Sequence, residues 1–214
     1  MIAIRTSFSP QTNGFRFVNR FDFPYSVSFK LPFTGSIDLG DIIYGLCGGM
    51  CFAALDYFLV GKPVPQIDDP QKLDSNYVLY LWERQLDSLG LLTVPKVIEL
   101  MLREDIDAGR RTAQYEIPKL RRRLDQGLPT VLALIRTRRG DDPTRNHQVL
   151  VTGYDFDPLT KKLAAHLYEP NYPGQEPTLN FDLSQPSLGI HPAQSTGEPL
   201  RAFFVIPYNQ ESPR

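Results

Sequence analysis

The sequence predicts an α+β fold in which a mainly helical half is followed by an antiparallel sheet. Two features carry this reading. Between residues 47 and 126, apolar side chains recur at helical spacing, punctuated by glycine and proline. From Thr130 onward the pattern changes to short apolar runs separated by turn residues, the element order that yields a hairpin-linked sheet. The 214 residues are read as one domain in three parts: a β and coil extension over 1–40, a mainly helical part over 41–128 and a sheet part over 129–208.

In the extension, Phe15, Phe17, Val18, Phe21 and Phe23 crowd together, and Tyr25, Val27 and Phe29 alternate with Ser26, Ser28 and Lys30. That alternation is a strand signal, bounded by Pro24 and Pro32. Asn13-Gly14 and Thr34-Gly35 read as turns. The aromatic side chains are expected to pack on the body of the domain.

From Tyr44 the chain reads Gly45-Leu46-Cys47-Gly48-Gly49-Met50-Cys51-Phe52-Ala53-Ala54-Leu55-Asp56-Tyr57-Phe58, a glycine-marked turn running into an apolar helix. Gly61 and Pro63 stop that helix. A proline- and aspartate-rich loop follows over 61–74. Tyr77, Leu81, Leu86 and Leu89 mark a second helix, closed by Gly90. Thr93-Val94-Pro95 reads as an N-cap with a first-turn proline, continued by Val97, Leu100 and Met101. Residues 117–127 form another helix, whose Arg121-Arg122-Arg123 cluster is read as a solvated face.

Thr130-Val131-Leu132-Ala133-Leu134-Ile135 is a continuous apolar run, the mark of a fully buried strand. Further strands are expected over 147–154, 162–168, 178–183 and 201–208, with a turn at Asp157-Pro158-Leu159-Thr160. Residues 209–214 are polar and expected to fray.

The apolar share of 42% suits an ordinary core. A net charge of −1 gives no field for nucleic acid or an anionic membrane. Two cysteines four apart make no disulfide framework, and three histidines leave few ligands for zinc, so neither metal nor cofactor is expected. No apolar run approaches the ~20 residues that span a bilayer. The first residues lack a basic segment followed by an apolar one, so a soluble cytoplasmic protein is the expectation. Oligomeric state is not legible.

A thiol at a helix N-terminus sits among unsatisfied N–H groups and the positive end of the dipole. Both favour thiolate, the attacking form. Cys47 holds that place. Gly48 and Gly49 would leave room for a substrate, and the N–H groups of this turn, Gly48 included, could hold an oxyanion. Free cysteines are also common core residues, which is the plain alternative for Cys47 and Cys51.

A nucleophilic cysteine needs a base. His147 is the best candidate, because it opens a strand after a polar loop. His166 lies inside a strand, and His191 sits in a loop and faces solvent. Glu169 ends the strand that follows His147. If these two strands form a hairpin turning near 157–160, the start of one lies beside the end of the other, and Glu169 can orient the imidazole.

The order Cys, His, acid, with Cys-Gly at a helix start, resembles the papain-like cysteine peptidase clan. It is closest to the peptidase C39-like group, whose nucleophile opens a Cys-Gly-x-x-(Cys/Ser)-Leu-Ala segment. Cys47-Gly48-Gly49-Met50-Cys51-Phe52-Ala53 is similar, with Phe for Leu. Leu124-Asp125-Gln126-Gly127-Leu128-Pro129, then His147-Gln148-Val149 with Gly153-Tyr154-Asp155, and Glu169-Pro170 follow in the family's order. The likeness spans roughly residues 40 to 175. It implies a papain-like α+β fold, with Cys47 as nucleophile, His147 as general base and Glu169 as orienter.

Three departures qualify it. Asp41 stands where the family carries a glutamine oxyanion donor, and a carboxylate cannot donate. Glu replaces Asp as the orienter, so Asn171 could orient the imidazole instead. Cys51-Phe52-Ala53 also resembles papain's Cys-Trp-Ala, which keeps Cys51 open as nucleophile, although Cys47 at the helix start is preferred.

The expected function is a thiol-dependent hydrolase, a cysteine peptidase or amidase acting on a peptide or other amide or acyl substrate. The alternatives are a papain-fold binding protein that has lost the chemistry, favoured by Asp41, and a transglutaminase-like acyltransferase. The long interval between Cys47 and His147, and the lack of a tryptophan beside His147, speak against the last.

Overall fold

The computed structural model describes residues 1–21, 28–31, 35–38 and 45–214. It is a mixed α+β fold. In chain order it contains β1 (Ile2–Arg5), α1 (Pro10–Asn13), β2 (Ser28–Leu31), β3 (Gly35–Asp38), α2 (Cys47–Leu59), α3 (Ser75–Ser88), α4 (Thr93–Met101), α5 (Asp105–Arg111) and α6 (Ile117–Asp125). Strands β4 (Thr130–Ile135), β5 (His147–Phe156), β6 (Lys162–Tyr168), β7 (Thr178–Asp182), β8 (Ala193–Gln194) and β9 (Ala202–Val205) follow. The expected strand over 25–30 and the Thr34-Gly35 turn fall largely outside the described residues. Ser28–Leu31 and Gly35–Asp38 pair there as a separate ribbon.

The main sheet is antiparallel, ordered β8-β7-β6-β5-β4-β9, with β1 also paired to β5. Strand β6 runs along one edge of β5, while β4 and β1 share the other. β4 covers His147 to Val151, and β1 covers Gly153 to Phe156. The N-terminal residues are therefore a strand of the main sheet, not only an extension of it.

Helices cover both faces of the sheet. Val131, Ala133, Ile135, Leu150, Tyr168 and Phe204 pack with Met50, Phe52 and Leu55 of α2 and Leu81 of α3. Leu132, Leu134, Val149, Leu167 and Phe203 pack with Ile117, Leu120 and Leu124 of α6. A strand buried on both faces must be apolar at every position, which explains the unbroken run of β4. Phe15, Phe17 and Phe21 join the α2 side of the core.

The sequence reading passed over residues 102–116. They form α5 and a π-turn, Thr112–Glu116, that leads into α6. This turn covers the exposed edge of β9. Thr112 Oγ1 bonds both the carbonyl and the N–H of Phe203, at 3.2 and 3.3 Å. Glu116 Oε2 accepts from the Val205 N–H at 3.0 Å. Edge strands leave such groups unpaired unless something covers them. Thr93 is the first residue of α4, and the N-cap position expected for it falls on Leu92, whose side chain makes no cap bond. Asp74 caps α3, accepting from the Tyr77 N–H at 3.0 Å.

Residues 209–214 are tied down where fraying was expected. Asp56, fully buried on α2, pairs with Arg84 of α3 at 2.8 Å. It also accepts from Tyr80 Oη and Tyr208 Oη, both at 2.7 Å, and from the Glu211 N–H at 2.9 Å. Arg84 donates to the Asn209 carbonyl at 2.8 Å. A buried charge requires partners from every side, and the polar tail supplies several of them. Among the described residues no helix is long and apolar enough to cross a membrane.

Candidate functional site

Cys47 is the first residue of α2, and the side chain of the preceding Leu46 makes no cap bond. The cap comes instead from a neighbouring helix, where Gln85 Oε1 on α3 accepts from the Gly49 N–H at 2.9 Å. The Met50 N–H bonds the Leu46 carbonyl at 2.8 Å.

The two glycines serve packing rather than substrate access. A Cβ on Gly49 would stand 2.1 Å from the Leu81 carbonyl. One on Gly48 would stand 2.2 Å from Ser88 Oγ and 2.4 Å from Gln148 Oε1. The space they vacate is filled by α3 and β5, so the expectation of an open approach at 48 and 49 does not hold.

His147 opens β5 and Glu169 follows the last residue of β6. The paired strands bring them together, with His147 Nε2 lying 2.6 Å from Glu169 Oε1. His147 is also hydrogen-bonded to Cys47. Because Nε2 faces Glu169, Nδ1 is the nitrogen left for the sulfur. Cys47, His147 and Glu169 thus form one contiguous chain of side chains.

Cys47 and His147 reinforce each other, as do His147 and Glu169, while the Glu169 charge acts directly to raise the thiol. Burial would raise the Cys47 thiol, but the imidazole and a backbone hydrogen bond with Gln148 outweigh it and hold it below its ordinary value. Burial would lower His147, but Glu169 and Cys47 outweigh it and push it up to about 10. Burial would raise Glu169, and His147 with the Asn171 N–H holds it low. The Asn171 N–H donates to Glu169 Oε1 at 3.0 Å.

The other predicted residues are placed differently. Cys51 lies one turn further along α2, fully buried, its Sγ 3.8 Å from the Gln148 carbonyl. Burial pushes its thiol well up. The Asn171 side chain engages Asn19, whose Nδ2 donates to Asn171 Oδ1 at 3.2 Å, so Asn171 meets the acid through its backbone. Asp41 lies outside the described residues. His166 bonds Asp155 at 2.9 Å, away from this chain, and His191 is exposed. Among the described residues, no group of three or more His, Cys, Asp or Glu side chains is placed to hold a metal ion.

The sequence reading missed Gln194, a buried residue of β8 whose Nε2 donates to Glu169 Oε2 at 3.1 Å. Its strand is two residues long, in a Pro-, Ser- and Thr-rich segment with no periodicity to signal it. No protein-family model, curated protein or solved structure matches this chain.

Proposed function

We propose that the chain is a thiol-dependent hydrolase of papain-like fold, acting on a peptide, amide or related acyl bond. One observation carries the reading: a lowered thiol on the first turn of α2 bonds an imidazole whose other nitrogen faces a buried carboxylate. The sequence resemblance to the C39-like group names the same residues in the same order.

Cys47 is the nucleophile in this scheme. Its thiolate attacks the carbonyl carbon, and the electron pair of the C=O bond moves to oxygen. The first two N–H groups of α2, of Cys47 and Gly48, are the donors for that oxyanion, since those of Gly49 and Met50 are engaged. As the tetrahedral intermediate collapses, the proton on His147 Nδ1 passes to the leaving group. Water then attacks the thioester, gives its proton to His147, and releases the acid and the thiolate. Glu169 holds the imidazole and stabilises its charge. Cys51 is a poor rival, because its raised thiol is buried in the core.

Iodoacetamide labelling against pH tests the reading. Wild type and Cys51→Ala should label at neutral pH, and Cys47→Ala should not. Loss of label in Cys51→Ala alone would move the nucleophile. A Cys47 thiol titrating at its ordinary 9.0 would leave a binding protein in place of an enzyme.

A further inference from the structure

We propose that Gln194, oriented by Arg136, is a positioning residue that keeps Glu169 ionised and aimed at His147. The inference rests on the thiol-hydrolase reading and adds residues that neither the sequence motifs nor the Cys–His–Glu chain includes.

The argument starts from donor and acceptor counting. A guanidinium has donors only. Arg136 Nη2 lies 3.0 Å from the Gln194 side-chain oxygen, so that end of the amide must be Oε1. The amide is thereby fixed, and its Nε2 points at Glu169 Oε2, 3.1 Å away. The other carboxylate oxygen receives His147 Nε2 at 2.6 Å and the Asn171 N–H at 3.0 Å. A proton on Oε2 would face the Gln194 N–H, and Oε1 already accepts from the Asn171 N–H, so with imidazolium Nε2 donating as well the carboxylate is the form that satisfies every donor. Glu169 is fully buried, so water cannot supply an alternative partner.

The polarity runs in one direction along the whole chain. Arg136 orients Gln194, Gln194 requires a charged Glu169, Glu169 favours imidazolium, and imidazolium favours the Cys47 thiolate. The titratable and charged groups that face Glu169 are Cys47 and Cys51 from α2, His147 from β5, Arg136 beyond β4, and Tyr168 and Tyr172 on its own segment. Among these only His147 and Arg136 are cationic and favour the carboxylate, Arg136 both by its charge and through the Gln194 amide. Glu198 also faces Arg136, and its carboxylate is held by Tyr172 Oη at 2.7 Å.

The test measures Cys47 alkylation by iodoacetamide and thiolate absorbance near 240 nm against pH, in Gln194→Met, Arg136→Met and Arg136→Lys. Gln194→Met should raise the pH at which the Cys47 thiolate forms by about one unit, the scale of one hydrogen bond to a charged group. Below that midpoint alkylation should slow roughly tenfold. Arg136→Met should do the same, while Arg136→Lys, which keeps a donor and the charge, should hold the wild-type midpoint. Arg136 is only partly buried, so its variants remain informative if Gln194→Met fails to fold. A wild-type thiolate window left unmoved by both methionine variants overturns this inference alone. A wild-type thiol titrating at its ordinary value overturns the hydrolase reading and takes this inference with it.

Discussion

His147 and Glu169 stand 22 residues apart in the chain and 2.6 Å apart in space, joined by the β5–β6 hairpin. The carboxylate receives three donors, from His147, Asn171 and Gln194. Glu169→Gln would offer them one acceptor oxygen in place of two and would present its own N–H₂ to a donor. The imidazolium loses its counter-charge, so His147 should titrate well below its value of about 10. On the hydrolase reading, turnover of a thioester or amide substrate should slow by on the order of 10²–10⁴, the range for a disabled proton-transfer group. Steady-state rates across pH 5 to 10 check both effects.

A second prediction separates the thiol from the imidazole by proton linkage. Folded His147 keeps its proton above its ordinary 6.5, so the folded state binds more protons and stability falls as pH rises from 6.5 toward about 10. Folded Cys47 loses its proton below its ordinary 9.0, so the unfolded state binds more protons and stability rises with pH up to 9.0. Just below pH 9 the two slopes oppose each other. Cys47→Ala removes the second and takes away one of the groups that raise His147, so the fall in its urea-unfolding free energy should begin near pH 6.5 and end below about 10, with a slope different from that of wild type. Equal slopes would mean that the two groups do not share a proton.

Most strands of the sheet half and the His147–Glu169 meeting were legible because each depends on local signals: alternation, a turn at 157–160, and polar residues at strand ends; the pairing of β9 with β4 and of β1 with β5 was not. The Arg136–Gln194 contact joins segments 58 residues apart, and no local pattern reports such a pairing. Asp56 and Arg84 were invisible for a related reason. A single charge in an apolar helix reads as solvent-facing until its partner, 28 residues away, is placed opposite it. The purpose of Gly48 and Gly49 was misread because a small residue signals close approach without saying what approaches.

Those glycines make a direct stability test. Gly49→Ala would drive a methyl group against the Leu81 carbonyl, backbone that cannot rotate away. It should destabilise by at least ~1–3 kcal/mol, the usual cost of overpacking. Gly48→Ala meets side-chain atoms of Ser88 and Gln148, which can turn aside, so it should cost less. Chemical denaturation ranks the pair. If the two variants are equally stable, the helix–helix contact is looser than 2.1 Å implies.

The Asp56–Arg84 pair predicts a larger effect and a characteristic non-additivity. Both side chains are almost wholly buried, at 0% and 1% exposure, so removing one strands the other without water. Arg84→Met should cost about 3–5 kcal/mol, the range for breaking a buried pair from one side. It should also release residues 209–214, because the arginine bonds the Asn209 carbonyl directly. Asp56→Leu should be comparably damaging, since Tyr80 Oη, Tyr208 Oη and the Glu211 N–H lose a common acceptor. The double variant removes both charges and should lose less than the sum of the two singles. Amide exchange at residues 209–214 follows the tail independently of global stability. Tail protection that survives Arg84→Met would show that the other tethers, the Glu211 N–H on Asp56 and Arg214 on Tyr57 and Glu83, hold it down without the arginine.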